Sequence, residues 1–281
     1  MNKTDASDDR AKRYTIQSIS KALDVIELLS QYESLSLLEI SDRLQQPKSS
    51  LYRIMLTLEQ RGYIARSEKT GKYCLGYQLL VSSRHLLENN SLRMQARHEM
   101  QRLSEKYGDT VNLGVLERDQ VLYLEIIEGT HSLRMNETVG STAPIHATAI
   151  GKAILADMPV EQRDQWLDRQ PLAPITPNTI TDRELLLKEL EKVKKQGYAV
   201  DNEESVQGAR CIGAAILSAP GRVEGAISIS GAIHRYPDDK LPAVAADVMQ
   251  AAAQISRKMG FHVSFNKKFL FVDGGDPDVQ F

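Results

Sequence analysis

Three short segments near the start of the chain repeat apolar residues with the period of an α-helix. The first begins at Ser18, the second spans 36–44, and the third opens at Pro47, a residue suited to a helix start. Ser36 and Glu39 have the spacing of a capping box, and Gly62 suits the position just past a helix end. The side chains predicted to point inward are Ile19, Ala22, Leu23, Ile26, Leu28 and Leu29 in the first helix, Leu37, Leu38, Ile40 and Leu44 in the second, and Leu51, Ile54, Met55 and Leu58 in the third.

The pattern then changes from a helical to a β-like period. Residues 63–66 and 72–75 are short and β-prone, and the loop between them contains Gly71, as hairpin loops often do. Three helices followed by a hairpin within about sixty residues is the layout of a winged helix-turn-helix. This layout also occurs in protein-interaction modules, so the pattern alone leaves both functions open.

The remainder of the chain predicts a second domain of α+β class. Residues 77–107 are helical with an interruption at 89–91, after which Ser91 is the expected helix cap. Strands are predicted at 111–117, 121–128, 133–139, 212–217 and 223–230, and helices at 147–156, 159–168, 181–197 (with Thr181 as the cap) and 242–259. The expected organisation is a flexible arm (1–14), a winged helix-turn-helix domain (15–76), a linker helix (77–91), a second domain (92–262) and a loose tail (263–281).

Charge is unevenly distributed along these 281 residues, although 35 basic and 37 acidic side chains give a net charge of only −2. Residues 47–76 contain six basic and two acidic residues, a local charge of +4, so the rest of the chain is acidic. A small basic patch on an acidic body indicates a local phosphate contact and argues against a diffusely cationic surface.

Composition excludes several other classes of protein. Cys74 and Cys211 are too few and too far apart for a disulfide framework or a zinc site, so we expect reduced thiols in a cytoplasm and no cofactor. No apolar run approaches the ~20 residues that a membrane span requires. The polar segment 1–13 has no apolar core of a signal peptide.

The third helix carries the chemistry of a DNA-reading helix. Helix-turn-helix proteins present the N-terminal side chains of their second motif helix to the major groove. Hydroxyl and cationic side chains there can bind phosphates and base edges. The residues predicted to contact DNA are Lys48, Ser49, Ser50, Tyr52 and Arg53 in this helix, Lys69 and Lys72 at the hairpin loop, and Arg13 in the arm.

Several motifs in matching order resemble the IclR family of bacterial transcriptional regulators. They are ISKALDVIELL (19–29), LEIS (38–41), KSSLYR (48–53), LEQRGY (58–63), AIGKA (149–153), GYAVDNEE (197–204), GARCI (208–212) and SISG (228–231). The resemblance covers about Thr15 to Phe261 and is greatest to members that govern sugar-acid and keto-acid catabolism. Leu217-Ser218 departs from the family pattern, which usually has an aromatic residue or His followed by Asp or Asn.

This resemblance implies a GAF-like effector-binding domain, with a small organic or sugar acid as the effector. By resemblance, the ligand pocket is lined by Ala149, Ile150, Asp201, Cys211, Ser228 and Ser230, with Arg134, Met135 and His146 as weaker candidates. Amides at a helix N-terminus near Ala149 and two serines on one strand face would suit an anion, whereas Asp201 would repel one. The expected partners are operator DNA, the effector and further copies of the chain, as a dimer or a dimer of dimers. Leu79, Leu80, Leu86 and Leu87 form the apolar stripe of the linker helix.

An enzyme is the alternative interpretation. Cys211 with His146 or His234, or Ser228 with a histidine, could form a nucleophile–base pair. The segment around Ser228 lacks the Gly-x-Ser-x-Gly pattern, and the chain has no phosphate-binding glycine loop and no metal-ligand spacing. We therefore expect a regulator and not an enzyme.

Overall fold

The computed structural model describes residues 15–131 and 137–261, so the arm with Arg13, the tail and the candidates Arg134 and Met135 lie outside the described residues. The chain divides into two compact units between Asn89 and Asn90. Among the described residues, no helix is long and apolar enough to cross a membrane.

The N-terminal unit contains the predicted three helices and hairpin. The elements are α1 (Gln17–Leu29), α2 (Leu37–Leu44), α3 (Lys48–Gln60), β1 (Ile64–Arg66), β2 (Tyr73–Leu75) and α4 (Gln78–Asn89). The Ser36–Glu39 capping box is confirmed, because each side chain accepts the other residue's backbone N–H, at 3.2 and 2.7 Å. Gln45, in the left-handed conformation, ends α2 and lets the chain turn into α3. The core comprises Val25, Leu29, Leu35, Ile40, Leu51, Met55, Leu58, Ile64 and Tyr73.

Three of the predicted inward positions are wrong. Ile19 and Leu23 are 55% and 52% exposed, and Leu38 is 50% exposed. Val25, which the pattern did not single out, is fully buried in their place. A helical stripe wider than one face cannot be buried by a core of three short helices, so its edges remain at the surface.

Helix α4 buries none of its residues. Leu80 and Leu86 are 65% and 66% exposed, while Leu79 and Leu87 are half-buried. The predicted apolar stripe is therefore available at the surface of the N-terminal unit, and its proposed role in a dimer contact stays a prediction.

The C-terminal unit is a six-stranded antiparallel sheet with helices on both faces. Its elements are α5 (Ser91–Tyr107), β3 (Thr110–Glu117), β4 (Gln120–Ile127), β5 (Thr142–Pro144), α6 (Ala149–Asp157), α7 (Val160–Arg169), α8 (Arg183–Gln196), β6 (Ala199–Asn202), β7 (Ala209–Ala219), β8 (Arg222–Ala232) and α9 (Leu241–Lys258). The strand order is β5-β4-β3-β8-β7-β6. The predicted α+β class is confirmed.

Alternation along the strands separates two cores. Val111, Leu113, Ile212 and Ile229 belong to a core that also contains buried residues of α5 and α9. On the opposite face, residues such as Val121 belong to a second core with α6, α7 and α8. Each strand therefore sends every second side chain toward α6, and these positions include the predicted effector residues.

Several local predictions in this unit need correction. Helix α5 is capped by Asn90, not Ser91, and α8 by Asp182, not Thr181, because these side chains accept the N–H of Arg93 and Leu185. The predicted strand 133–139 is wrong where it can be compared, since residues 137–139 are not in a strand and 133–136 lie outside the described residues. The strand beside β4 is instead Thr142–Pro144. Two further strands, β5 with three residues and β6 with four, were not predicted.

Candidate functional site

The N-terminal half of α3 presents a polar face to the solvent. Helix α3 is anchored by buried Leu51, Met55 and Leu58, and the remaining side of its first turns is exposed. The predicted DNA-contacting residues Lys48, Ser49, Tyr52 and Arg53 are all exposed on that side, and Ser50 is half-buried. The helix thus holds two cations, a hydroxyl and a phenol where a major groove would meet them.

The two lysines at the hairpin loop differ in how far they are exposed on this surface. Lys69 is exposed, but the Nζ atom of Lys72 lies 3.9 Å from the Oε2 atom of Glu39 on α2. The backbone N–H of Ser36 and the nearby Lys72 lower the pKa of Glu39, which keeps this carboxylate charged. Lys72 therefore faces α2 as well as the solvent, which sequence spacing did not show.

In the C-terminal unit, the strand register brings the predicted effector residues into one row across the sheet. Asp201 on β6 pairs with Cys211 on β7, and Cys211 pairs with Ser230 on β8. Paired residues on adjacent strands point to the same face. All three side chains are buried. Direct neighbours in this row are thus ten and nineteen positions apart in the chain.

A second row lies immediately beside the first. Gly213 on β7 pairs with Ser228 on β8, and Ser228 pairs with Asn112 on β3. The Nδ2 atom of Asn112 donates to Oγ of Ser230 at 3.0 Å, which joins the two rows. A Cβ atom at Gly213 would lie 3.0 Å from the backbone of Ala149, so this glycine lets α6 approach the sheet closely.

Helix α6 starts directly above these rows. Thr148 caps the helix through an N–H···O bond from Gly151 at 3.0 Å. Any side chain at Gly151 would overlap the backbone of Ile145, so a glycine is required where the entering loop crosses the helix. No described residue accepts a hydrogen bond from the amides of Ala149 and Ile150. These two amides are the donors that a helix N-terminus offers to an anionic group.

A buried ion pair supports the edge of the site. Lys152, fully buried on α6, donates to the carboxylate of Glu204 and, at 2.6 Å, to the carbonyl of Val200 on β6. Both oxygens of Asp201 are also engaged, by the backbone N–H of Glu204 and the hydroxyl of Ser205. Asp201 thereby stabilises the turn after β6. These bonds use most of the hydrogen-bonding capacity of the Asp201 carboxylate within the protein.

Burial governs the protonation of the groups that face the site. Burial raises the pKa values of Asp201 and Glu137, and the nearby Asp201 carboxylate raises the pKa of Glu137 further. Burial also raises the pKa values of the Tyr123 phenol and, well above its usual range, the Cys211 thiol. The thiol therefore stays protonated at neutral pH and lacks the thiolate that nucleophilic chemistry requires.

Glu137→Gln should raise the melting temperature at pH 7 but change it little at pH 4. The raised pKa means that folded Glu137 holds its proton more tightly than the unfolded chain does. Wild-type stability should therefore fall as the pH rises from about 4.3, the ordinary value for Glu, through the folded-state pKa, whereas glutamine has no charge to bury. The fluorescence of Trp166, the single tryptophan, reports the transition. Glu117→Gln, at an exposed position, is the control, and an equal shift at both pH values would contradict the assignment.

Sequence reasoning missed several residues of this site. Asn112, Tyr123, Glu137, Lys152 and Glu204 all lie in or beside it, yet none was a predicted site residue. A signal existed for two of them, since Asn112 interrupts an apolar strand and Lys152 interrupts an apolar helix. His146, a weaker candidate, is buried and its Nε2 atom lies 3.0 Å from the carbonyl of Ala173, while burial lowers its pKa.

Comparison with known proteins identifies both units. Residues 18–68 match the model of the IclR helix-turn-helix domain, and residues 84–257 match that of the bacterial transcriptional regulator IclR C-terminal domain. The HTH-type transcriptional regulator KdgR of Escherichia coli is 33% identical, over 88% of this chain and 94% of its own length. XynR of the same organism is 32% identical, over 88% of this chain and 98% of its own.

Solved structures agree with this assignment. The crystal structure of IclR from Thermotoga maritima superposes with a TM-score of 0.72 at 31% identity, covering 88% of this chain and all of the other. The matched segments contain the exposed polar face of α3 and the rows of polar residues beneath α6. The chain belongs to the IclR family of bacterial transcriptional regulators, with a helix-turn-helix domain followed by an effector-binding domain.

Proposed function

We propose that this regulator binds double-stranded operator DNA through α3 and releases or retains it according to a small organic acid bound beneath α6. The observation that carries the proposal is the pair of rows of polar side chains on β6, β7 and β8 under α6. At the N-terminus of α6, two backbone amides have no acceptor among the described residues. A helix N-terminus, two serines and a protonated thiol together form a site for a small polar ligand. The protein works in the cytoplasm, where its DNA partner is found.

For the DNA contact, we infer that Lys48, Ser49, Ser50, Tyr52 and Arg53 enter the major groove. Lys69 and Lys72 contact neighbouring phosphates, and Arg13 follows the groove as part of the arm. Helix α4 exposes Leu80 and Leu86, and a dimer contact through this helix would bury them. Two such dimers could assemble further into a dimer of dimers. In a dimer the two α3 helices would lie about 34 Å apart, one turn of DNA.

For the effector, we infer that Ala149 and Ile150 bind an acidic group through their backbone N–H groups. Ser228, Ser230, Cys211 and Asp201 line the sheet side of the same site. A ligand that prefers one conformation of the effector-binding domain shifts operator affinity by the coupling energy between the two sites. Couplings of ~1–3 kcal/mol change affinity ~5–150-fold.

The double substitution Ser228→Ala with Ser230→Ala should leave operator binding intact and remove the stabilisation by effector. Both hydroxyls are buried and face the site, so their loss removes ligand partners without touching α3. The measurement is a thermal-shift screen of wild type and variant against sugar acids, keto acids and aromatic acids, since a bound ligand stabilises the folded state.

Ser218→Ala is the matched control, because Ser218 lies near the far end of β7 and donates to Glu224. It should respond to effector as wild type does. Stabilisation that survives the double substitution would place the ligand elsewhere, and operator binding lost in that variant would contradict the separation of the two sites.

An enzyme built on Cys211 or Ser228 is the second candidate, and the site does not favour it. The pKa of the Cys211 thiol is raised by burial, and the His146 imidazole is directed at a backbone carbonyl. Both relatives described above are named as transcriptional regulators. Hydrolysis of ester or lactone substrates by the wild type, lost in Cys211→Ala, would reverse this conclusion.

A further inference from the structure

Asn112 lies at the centre of the effector site but belongs to no feature described so far as binding the ligand. It is 2% exposed and occupies β3, whose neighbours Val111 and Leu113 point into the opposite core. Asn112 pairs with Ser228 on β8, so the side chain of Asn112 lies on the face of the sheet that α6 covers. A polar amide at such a depth is costly unless its hydrogen bonds are made.

Only one of the two polar atoms of the Asn112 amide forms a hydrogen bond with a described residue. The Nδ2 atom donates to Oγ of Ser230 at 3.0 Å, and this bond orients the side chain. The Oδ1 atom is buried and accepts no hydrogen bond from any described residue. Since buried polar atoms are almost always paired, an acceptor held open in this way indicates a partner that the protein itself does not supply.

Among the described groups around Asn112, none donates a hydrogen bond to Oδ1. Asp201 bears a carboxylate that already accepts from the turn after β6. The Oε2 atom of Glu137 is itself buried without a partner among the described residues. The charge of this carboxylate contributes to the raised pKa values of Cys211 and Tyr123, so Glu137 lies near them. The open acceptors among the described residues at the site therefore include Oδ1 of Asn112 and Oε2 of Glu137, and two open backbone donors lie at the start of α6.

We propose that Oδ1 of Asn112 accepts a hydrogen bond from a hydroxyl group of the effector, so that this residue sets specificity for hydroxylated acids. The inference rests on the proposed effector site and deepens it. The acidic end of the ligand faces the amides of Ala149 and Ile150, and a hydroxyl group faces Asn112. An acid without a hydroxyl leaves Oδ1 buried and unpaired, which weakens its binding relative to the hydroxylated counterpart.

The test compares matched acids that differ in hydroxyl groups alone. The probes are glycerate with propanoate, gluconate with hexanoate, and 4-hydroxybenzoate with benzoate, each titrated by thermal shift and calorimetry against the full-length protein. Wild type should bind at least one hydroxylated acid about tenfold more tightly than its partner acid. Asn112→Leu, of similar volume but apolar, should bind both acids of that pair equally.

Two further variants make the outcome interpretable. Asn112→Ala replaces the leucine variant if that variant does not fold. It should likewise bind the hydroxylated and the unhydroxylated acid equally. Thr110→Val is the matched control, because Thr110 lies two residues earlier on the same face, and its hydroxyl already accepts from the N–H of Gly129 at 3.5 Å. It should discriminate as wild type does.

The results separate this proposal from the proposed function. Operator binding that responds equally to hydroxylated and unhydroxylated acids would overturn the role of Asn112 and keep the function. No binding of any hydroxylated acid by wild type, or unchanged discrimination in both Asn112 variants, would also overturn it. Failure of the wild type to bind any selected DNA would instead contradict the proposed function.

Discussion

Replacing Lys152 by Met should lower the free energy of unfolding of the effector-binding domain by about 3–5 kcal/mol, because it leaves a buried carboxylate without its cation. Lys152 and Glu204 are both buried, and the lysine also satisfies the carbonyl of Val200 at 2.6 Å. Burial raises the pKa of Glu204 and Lys152 opposes this, so without the lysine the carboxyl takes up a proton more readily. The loss should therefore be smaller at pH 5 than at pH 8. Urea unfolding followed by Trp166 fluorescence measures it.

Two companion variants test the cause of this loss. Lys152→Met combined with Glu204→Gln removes both charges and should cost less than Lys152→Met alone, since no buried ion remains. Lys194→Met breaks the ion pair with Asp157, in which the lysine is 57% exposed, and should cost less than about 1 kcal/mol. A Lys152→Met protein as stable as the Lys194→Met protein would refute a supporting role for the buried pair.

Arg53→Ala should weaken operator binding by about 1–3 kcal/mol per protomer and reduce the dependence of affinity on salt. Arg53 is exposed on the polar face of α3, and a guanidinium there binds either phosphates or guanine. A lost phosphate contact lowers the slope of log affinity against log salt by about 1 per protomer. Fluorescence anisotropy on DNA selected by the wild type from a random pool, at several salt concentrations, measures both quantities.

Arg61→Ala is the matched control for the DNA contact. Arg61 is exposed just beyond the other end of α3, about 12 Å along the helix axis from Arg53. It carries the same charge, so a purely electrostatic, position-independent attraction would make the two variants equal. Equal losses, or none in Arg53→Ala, would contradict the assignment of α3 as the reading helix.

The local elements of the N-terminal unit were predictable because they depend on nearby residues. The Ser36–Glu39 box, Pro47 and Gly62 act within one helical turn, and all three lie at helix ends in the structure. Which apolar residues stay exposed was less predictable. Ile19 and Leu23 fit the helical period as well as the buried Leu29 does, and only the size of the core separates them.

The candidate effector site was partly predictable through family resemblance, which pointed to Asp201, Cys211 and the two serines as a set. Their proximity to one another follows from strand register, which alternation within one strand does not specify. Asn112, Glu137 and Glu204 could not be assigned, since an isolated polar residue has many possible surroundings. Their contacts come from strands, a loop and a turn far apart in the chain.

The amino-acid sequence by itself determined the helices and hairpin of the N-terminal unit, the charge of α3 and the two alternating faces of the sheet, because these depend on residues within a few positions of one another. Only the tertiary structure decided that Lys152 meets Glu204, that Gly213 admits the start of α6, and that Asn112 keeps one acceptor open. Those outcomes depend on contacts across 50 to more than 100 residues, where packing and strand register, and not local preference, fix each neighbour.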